Sequence, residues 1–346
     1  MRRHLNTIYV TSEDAWLRKD GANIVVEADG VEKGRVPLHL IGGVVSFGRP
    51  GASPALMAAC AEAGITLSFL TPNGKFLARM EGARTGNVLL RRAQYHIADD
   101  SVRAVPIVRG IVAAKAANQR TVLRRALRDH GARMDPAART TLEAADLRLG
   151  HVARRATGAD DIAILRGHEG EAALAYFSAF DAMIQGDRAH FAFRGRSRRP
   201  PLDRVNALMS FLYAMLGHDC RSALETVGFD PQVGFLHSDR PGRSSLALDM
   251  MEELRPVLAD RLALTLINRG QLNARDFVID EGGAVSLTDD GRKTVLVAWQ
   301  DRKKRDLRHP FLGETMPMGL VPHIQALLLS RHVRGDLDGY PPFIWK

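Results

Sequence analysis

The hydrophobic pattern of this 346-residue chain changes character once, near Gly86, and that change limits its architecture more than any other feature. Before it, short apolar runs at 7–10, 23–27, 35–40 and 43–47 alternate with Gly, Asp and Pro turn signals, as β-strands do. Residues 65–70 and 76–80 flank Thr71-Pro-Asn-Gly-Lys75 and predict a hairpin, and one helix is expected over 54–63. Beyond Gly86 apolar residues recur at helical spacing through long segments, including 88–96, 105–130 and 136–153. The expected fold is α+β: a small N-terminal β-rich domain over 1–86, followed by a larger, mainly α-helical domain over 87–346. Within the second, 276–280, Glu281-Gly-Gly283 and 284–288 read as strand, turn, strand, a short β-hairpin insertion, and Asp289-Asp-Gly291 as a turn into a helix. The last helix is expected over 320–334.

With 45% hydrophobic and 25% charged residues, the chain has enough apolar surface for a sizeable core in each domain. No apolar run approaches the roughly 18 residues of a membrane span, and Met1 to Asn6 lacks the apolar stretch of a secretory signal, so the expected location is cytoplasmic. Cys60 and Cys220 have no metal-type spacing and are expected to be reduced thiols. Lys plus Arg number 48 against 39 Asp plus Glu, a net charge of +9, and only eight of the basic residues are Lys. The planar guanidinium suits phosphate, so the surplus is compatible with nucleic acid. A GC-rich genome would produce the same surplus.

Three segments hold candidate chemistry. In Leu165-Arg-Gly-His-Glu-Gly-Glu-Ala-Ala, helical spacing puts Glu169 on the apolar stripe of Leu165, Ala172, Ala173, Tyr176 and Phe180. A carboxylate facing a core needs a partner, whether an Arg, a pair of hydroxyls or a metal ion, because an isolated buried charge is costly. Glu171 falls about 200° away and is expected in solvent. In the second segment His237 precedes a polar loop that feeds a helix starting near Ser244 or Ser245, on which Asp249 and Glu252 share a face. A divalent cation between these carboxylates, completed by neutral imidazole, would remove their repulsion. Alternatively, Asp249, Glu252 and Glu253 form a solvated acidic face and His237 is a loop histidine. The third is Phe193-Arg-Gly-Arg-Ser-Arg-Arg-Pro-Pro-Leu-Asp-Arg204, in which Arg194, Arg196, Arg198, Arg199 and Arg204 could bind successive phosphates or form a solvated basic loop.

Taken together, Gly167-His-Glu-Gly170 with Ala173 and Tyr176, Pro200-Pro-Leu-Asp-Arg-Val-Asn206, Gly234-Phe-Leu-His237 and Ser245-Leu-Ala-Leu-Asp-Met-Met-Glu-Glu-Leu-Arg-Pro256 resemble the CRISPR-associated spacer integrase and endonuclease family, the catalytic subunit of the spacer-acquisition machinery. Lys115-Ala-Ala-Asn-Gln119, Gln325-Ala-Leu-Leu-Leu-Ser-Arg-His332 and Arg334-Gly-Asp-Leu-Asp-Gly-Tyr-Pro-Pro-Phe343 resemble its type I-C branch, so the likeness extends over nearly the whole chain. The resemblance implies that the family's metal-binding glutamate falls on Glu169, its histidine on His237 and its last acidic ligand on Glu252, where members carry Asp or Glu, with Asp249 the supporting acid. It implies a β-rich dimerisation domain and a helical catalytic and DNA-binding domain. It further implies Mg²⁺ or Mn²⁺ as cofactor, and double-stranded and branched DNA as substrates. Homodimers would flank a dimer of a small partner protein, a four-to-two heterohexamer. The implied reaction joins the 3′ ends of short duplexes to a CRISPR repeat by transesterification. A structure-specific nuclease for branched DNA and a non-catalytic DNA scaffold are the other classes the residues allow.

Overall fold

The computed structural model describes residues 6–345, apart from 13, 49–50, 73, 75, 81 and 83–86. It forms two compact units: the described residues up to 82 together with 287–305, and the described residues 87–286 together with 306–345. This is the expected α+β class, a β-rich N-terminal part ahead of a mostly helical one. Among the described residues no helix is long and apolar enough to cross a membrane.

In chain order the first unit contains β1 (Thr7–Val10), β2 (Trp16–Asp20), β3 (Asn23–Ala28), β4 (Val31–Pro37), β5 (Gly43–Phe47), β6 (Gly51–Ala52), helix α1 (Pro54–Glu62), β7 (Thr66–Leu70) and β8 (Phe76–Met80). One sheet has the order β1-β5-β7-β8, parallel except for the antiparallel pair β7 and β8, and the other the order β4-β3-β2-β6. Strand β5 is paired on both sides and buried along its whole length, which is why its sequence, Gly43-Val-Val-Ser-Phe47, shows no exposed polar alternation and carries one small buried hydroxyl, Ser46. Leu17, Ile24, Val44, Leu56 and Leu67 form the core of this unit.

The expected hairpin is β7 and β8; Asn73 and Lys75 of its turn, like the boundary residue Gly86, lie outside the described residues. Strand β2 has no signature of its own, since Trp16-Leu-Arg-Lys-Asp20 keeps only Leu17 buried, and its conformation comes from pairing with β3. The strand expected over 35–40 instead begins at Val31 and stops at Pro37, where a 3₁₀ turn takes over, because proline cannot donate to the ladder.

The second unit contains α2 (Val88–Ala98), α3 (Ser101–His130), α4 (Pro136–Gly158), α5 (Ile162–Ser178), α6 (Arg204–Val227), α7 (Ser245–Leu254) and α8 (Arg261–Asn268). The hairpin β9 (Phe277–Ile279) and β10 (Val285–Leu287) follows as expected, with Gly283 at φ +79 in its turn. Next comes α9 (Asp289–Lys304), then the pair β11 (Asp306–Arg308) and β12 (Thr315–Pro317), and α10 (Val321–Val333). Asp100, Asp135, Asp161 and Asp203 cap α3, α4, α5 and α6 by accepting from backbone N–H groups, and Gly228 ends α6 in the left-handed region at φ +107. Helix α9 sits in the first unit, although the division at 86 left it with the helical part. Its stripe of Val295, Leu296 and Trp299 is buried there, Gln300 Nε2 donates to Thr7 O at 2.7 Å, and Arg292 Nη1 donates to Pro72 O at 2.8 Å. Helical spacing identifies such a stripe without saying which layer it covers.

Helix α3 is the axis of the second unit, with α4, α5 and α7 packed on it. After α7 the helix does not break but widens into a π turn over Arg255–Asp260. Pro256 has no N–H to return to the carbonyl of Glu252, so the regular ladder cannot continue. The segment 340–345 then lies against these helices. Tyr340 Oη donates to Glu253 Oε1, and Phe343 N donates to Glu253 Oε2 at 2.6 Å. Asn118 Nδ2 donates to the carbonyls of Glu253 and Phe343 at 2.7 and 2.8 Å. Cys60 and Cys220 are free and buried, and burial pushes both thiols up.

Deleting residues from Tyr340 onward would leave the buried Glu253 without two of its donors and uncover Phe343's site. A loss of roughly 3–5 kcal/mol is expected, measured by chemical denaturation.

Candidate active site

The centre of the second unit is helix α7, a short helix buried on every side. Asp249, Glu252 and Glu253 are 0%, 1% and 0% exposed, so they form no solvated acidic face. Each has a different set of partners.

Asp249 is saturated by hydrogen bonds. Its Oδ2 accepts the N–H groups of Phe235 at 2.6 Å and Leu236 at 2.9 Å, and its Oδ1 accepts His237 N at 3.0 Å and His237 Nδ1 at 2.6 Å. A carboxylate so placed can only accept, so His237 donates from Nδ1 and keeps the lone pair on Nε2. That nitrogen faces Glu252, 4.0 Å from Oε1. The loop carrying His237 is held from both sides: Gln94 Nε2 of α2 donates to the carbonyls of Asp230 and Val233, and Arg166 of α5 donates to Leu236 O. Gly234 allows the close approach, because a Cβ there would meet Asp249 Oδ2 and the Ser245 backbone carbon, each at 2.8 Å.

Glu252 is paired with two cations. Arg255 donates to Oε1, and the Lys115 ammonium of α3 lies 2.6 Å from Oε2. Lys115 is the one partner of Oε2 among the described residues, and a carboxylate oxygen with a single donor keeps a lone pair to spare. Burial opposes ionisation, yet Arg255 and Lys115 outweigh it and hold the carboxyl well below the usual range. Lys115 also donates to Glu169 Oε1 on α5. Thus α3, α5, α7 and the 233–237 loop bring Glu169, His237, Asp249 and Glu252 into one place, with Lys115 between the two glutamates. As they stand, no three His, Cys, Asp or Glu side chains among the described residues are set to hold a metal ion. The donor chemistry nevertheless suits one: two carboxylates that share a single ammonium, and an imidazole whose free nitrogen is fixed by a carboxylate behind it. Glu171 is not simply solvated, since it pairs with Arg148 and Arg155 of α4.

Sequence reasoning passed over Lys115 and Arg255 as site residues. Arg255 lies three residues from Glu252, a spacing that could have flagged it. Lys115 opens a motif read only as a branch signature, and nothing local points it to the site, since it is a single lysine on an apolar helix face whose partners are remote in sequence.

The arginines of the 194–204 segment divide. Arg194, Arg198 and Arg199 are exposed. Arg196 turns inward, with Nη1 donating to Asn206 Oδ1 at 2.6 Å and its guanidinium over the rings of Phe177 and Tyr213. Burial pushes its pKa down. Arg204 Nη1 donates to His190 O at 3.2 Å. Asn206 ties this loop down further, with Nδ2 donating to Gly195 O and Asp203 Oδ2.

Gly234→Ala should push the loop off Asp249 and lower stability by roughly 1–3 kcal/mol, read as a drop in the thermal midpoint. Asp249→Ala should cost more, since it strands three backbone donors and releases His237 Nδ1.

The sequence matches the family described as CRISPR associated protein Cas1 over residues 8–301. It is 59% identical to CRISPR-associated endonuclease Cas1 2 of Rhodospirillum rubrum and 51% identical to CRISPR-associated endonuclease Cas1 1 of Chlorobaculum tepidum, covering 100% of this chain and of each relative. Among solved structures, a Cas1 protein from Thermotoga maritima superposes with a TM-score of 0.79 at 21% identity, covering 96% of this chain and 97% of that one. A casposase bound to an integration product does so with a TM-score of 0.82 at 20% identity, covering 99% and 95%. The structural likenesses establish the shared fold, and the family match together with full-length identity above one half establishes descent: the chain belongs to the Cas1 family.

Proposed function

We propose that this chain is a divalent-metal-dependent DNA endonuclease and strand transferase of CRISPR adaptation, joining the 3′ ends of short duplexes to a CRISPR repeat. The observation that carries the reading is the convergence of Glu169, His237 and Glu252 from three separate segments, with Asp249 fixing the imidazole from behind. Membership of a family whose relatives are named CRISPR-associated endonucleases supplies the substrate class.

In this reading Glu169, His237 Nε2 and Glu252 hold Mg²⁺ or Mn²⁺, while Asp249, with its oxygens already committed, is the positioning residue. The bound ion would supply polarisation of the scissile phosphate and offset its developing negative charge. The chain's own groups do the rest. Asp249 holds the imidazole in the tautomer that presents Nε2. Arg255 compensates Glu252 by donating to Oε1. The exposed Arg194, Arg198 and Arg199 engage DNA through its phosphates, largely without reading sequence, while Arg196 and Arg204 brace the loop that carries them. In strand transfer, the P–O bond to the incoming 3′ oxygen forms as the P–O bond to the resident strand's 3′ oxygen breaks. Bond number is conserved and no nucleotide triphosphate is consumed. Water in place of the sugar hydroxyl turns the same arrangement into a nuclease.

The wider assembly is proposed on the same basis: β-rich units pairing two copies, and two such dimers flanking a dimer of a small adaptation protein. A structure with this fold, at 23% identity, has been solved as a Cas6-RT-Cas1–Cas2 complex, which is in keeping with that partner. The motifs around Lys115, Gln325 and Arg334 favour the type I-C branch.

The deciding experiment uses a branched DNA that mimics a half-integrated product, because a site that joins strands also catalyses the reverse. Resealed target strand and released flap are expected with Mn²⁺, and neither with EDTA, Glu169→Ala or His237→Ala. Hydrolytic nicking alone would favour a structure-specific nuclease, and activity surviving both substitutions would sink the site assignment. Duplex binding should weaken steeply with salt. Arg198→Ala and Arg199→Ala should each lower the salt slope by about one.

A further inference from the structure

Lys115 is almost wholly buried at the middle of α3, in contact with both carboxylates that the proposed function assigns to a divalent ion. Long polar side chains lose rotamer freedom on burial and an ammonium loses its hydration, so the position is sustained only by the two carboxylates it joins. The local charge count is instructive. Glu169 and Glu252 contribute two negative charges, and Lys115 and Arg255 two positive ones. Asp249 is committed to the 235–237 backbone and His237, so it is the two glutamates themselves whose charges are already offset without an ion. A divalent ion added between the glutamates would leave a net positive charge in a largely buried place, unless an anion came with it or a cation gave way.

The surroundings provide both. Beside Lys115 lies a small hollow of about 20 Å³, room for one water-sized group, lined by Gln119, Arg198, Tyr213, Arg255 and Asp260. Gln119 sits four residues beyond Lys115, on the same face of α3, and its buried Oε1 has no hydrogen-bond partner among the described residues. It is an acceptor positioned for an ammonium that leaves the carboxylates. Arg198, exposed at the rim of the same hollow, is placed to meet a phosphate.

We infer that Lys115 is a resident cation that occupies the ion's place and gives way toward Gln119, so that divalent metal binds this chain weakly alone and strongly together with a DNA phosphate. The inference rests on the metal reading of the site. It makes Lys115 a positioning residue, acting through Glu169 and Glu252, and it makes metal and DNA binding reciprocal: each raises the affinity for the other by the same factor.

The test measures metal-free stability in EDTA and Mn²⁺ affinity, the latter by paramagnetic resonance of free Mn²⁺, with and without a short duplex whose 3′-deoxy ends cannot be joined. For the unmodified protein, Mn²⁺ affinity should rise about tenfold or more on adding the duplex. Lys115→Met should lower the thermal midpoint in EDTA, bind Mn²⁺ alone about tenfold more tightly than the unmodified protein, and lose most of the gain from DNA. Lys115→Arg, which keeps the charge, should leave Mn²⁺ binding weak. If Lys115→Met fails to fold, the double variant Lys115→Met/Glu169→Gln, which restores charge balance, should recover the midpoint; failure to recover would overturn the counter-ion role. An unchanged midpoint in EDTA, or Mn²⁺ affinity equal to or below that of the unmodified protein, would overturn the inference. Absence of Mn²⁺ binding in every form, with the loss in EDTA intact, would remove the metal reading itself and leave Lys115 a structural ion pair.

Discussion

Three carboxylates buried along one ten-residue helix govern the second unit, because each must be neutralised and the neutralising groups come from everywhere else in the fold. Asp249 is satisfied by the 233–237 backbone and His237, Glu252 by Lys115 of α3 and Arg255, and Glu253 by Tyr340 and the Phe343 N–H. Removing Lys115 or Arg255 from Glu252 costs about 3–5 kcal/mol, since a buried charge loses its counter-ion, and removing a neutral donor from Asp249 or Glu253 about 1–3 kcal/mol. The helix is therefore a register device: loop, central helix and final segment are each indexed to a different acidic residue on it. Burial pushes the Glu253 carboxyl up to about 7, against the three hydrogen bonds that favour its charged form.

The π turn that follows α7 serves the same arrangement. Below it, Asp260 accepts from Tyr213 Oη at 2.7 Å, and the Tyr213 ring lies against both Arg196 and Arg255. Burial pushes Asp260 up to about 6, opposed by Tyr213 and the two guanidiniums. A regular helix would have placed Asp260 elsewhere around the axis. Widening the turn lets one segment present Glu252 toward α3 and α5 and Asp260 toward α6.

Much of this was legible in the sequence, and the division follows physics. The class of each half was readable because strand and helix differ in hydrophobic period, and long segments average out local noise. Glu169 declared itself as a carboxylate on an apolar stripe, and Asp249 and Glu252 as neighbours on one helix face. Their burial did not, because Asp, Glu and His at a helix surface look the same in sequence whether water or protein lies opposite. The place of Lys115 in the site was hidden for the converse reason: its partners are 54 residues away and more. Arg196 and Arg198 occupy the same basic run, yet one stacks on two rings and the other is exposed, a distinction set by loop geometry and not by residue type. Helix α9 shows the limit in another form, since its buried face is plain in the sequence while its host unit is not.

The clamp that Asn118 and Glu253 make on residue 343 also sets an order of events. Asn118 joins the carbonyls of Glu253 and Phe343 across a sequence separation of 225 residues. Contacts that span such distances form late, because the closure entropy of the intervening chain must be met first. During synthesis from the N-terminus, α3 and α7 are complete long before their clasp exists. Locking of the acidic helix thus waits for emergence of residues 340–345, and a ribosome-bound chain that stops short of them carries the acidic side chains without the frame that fixes them.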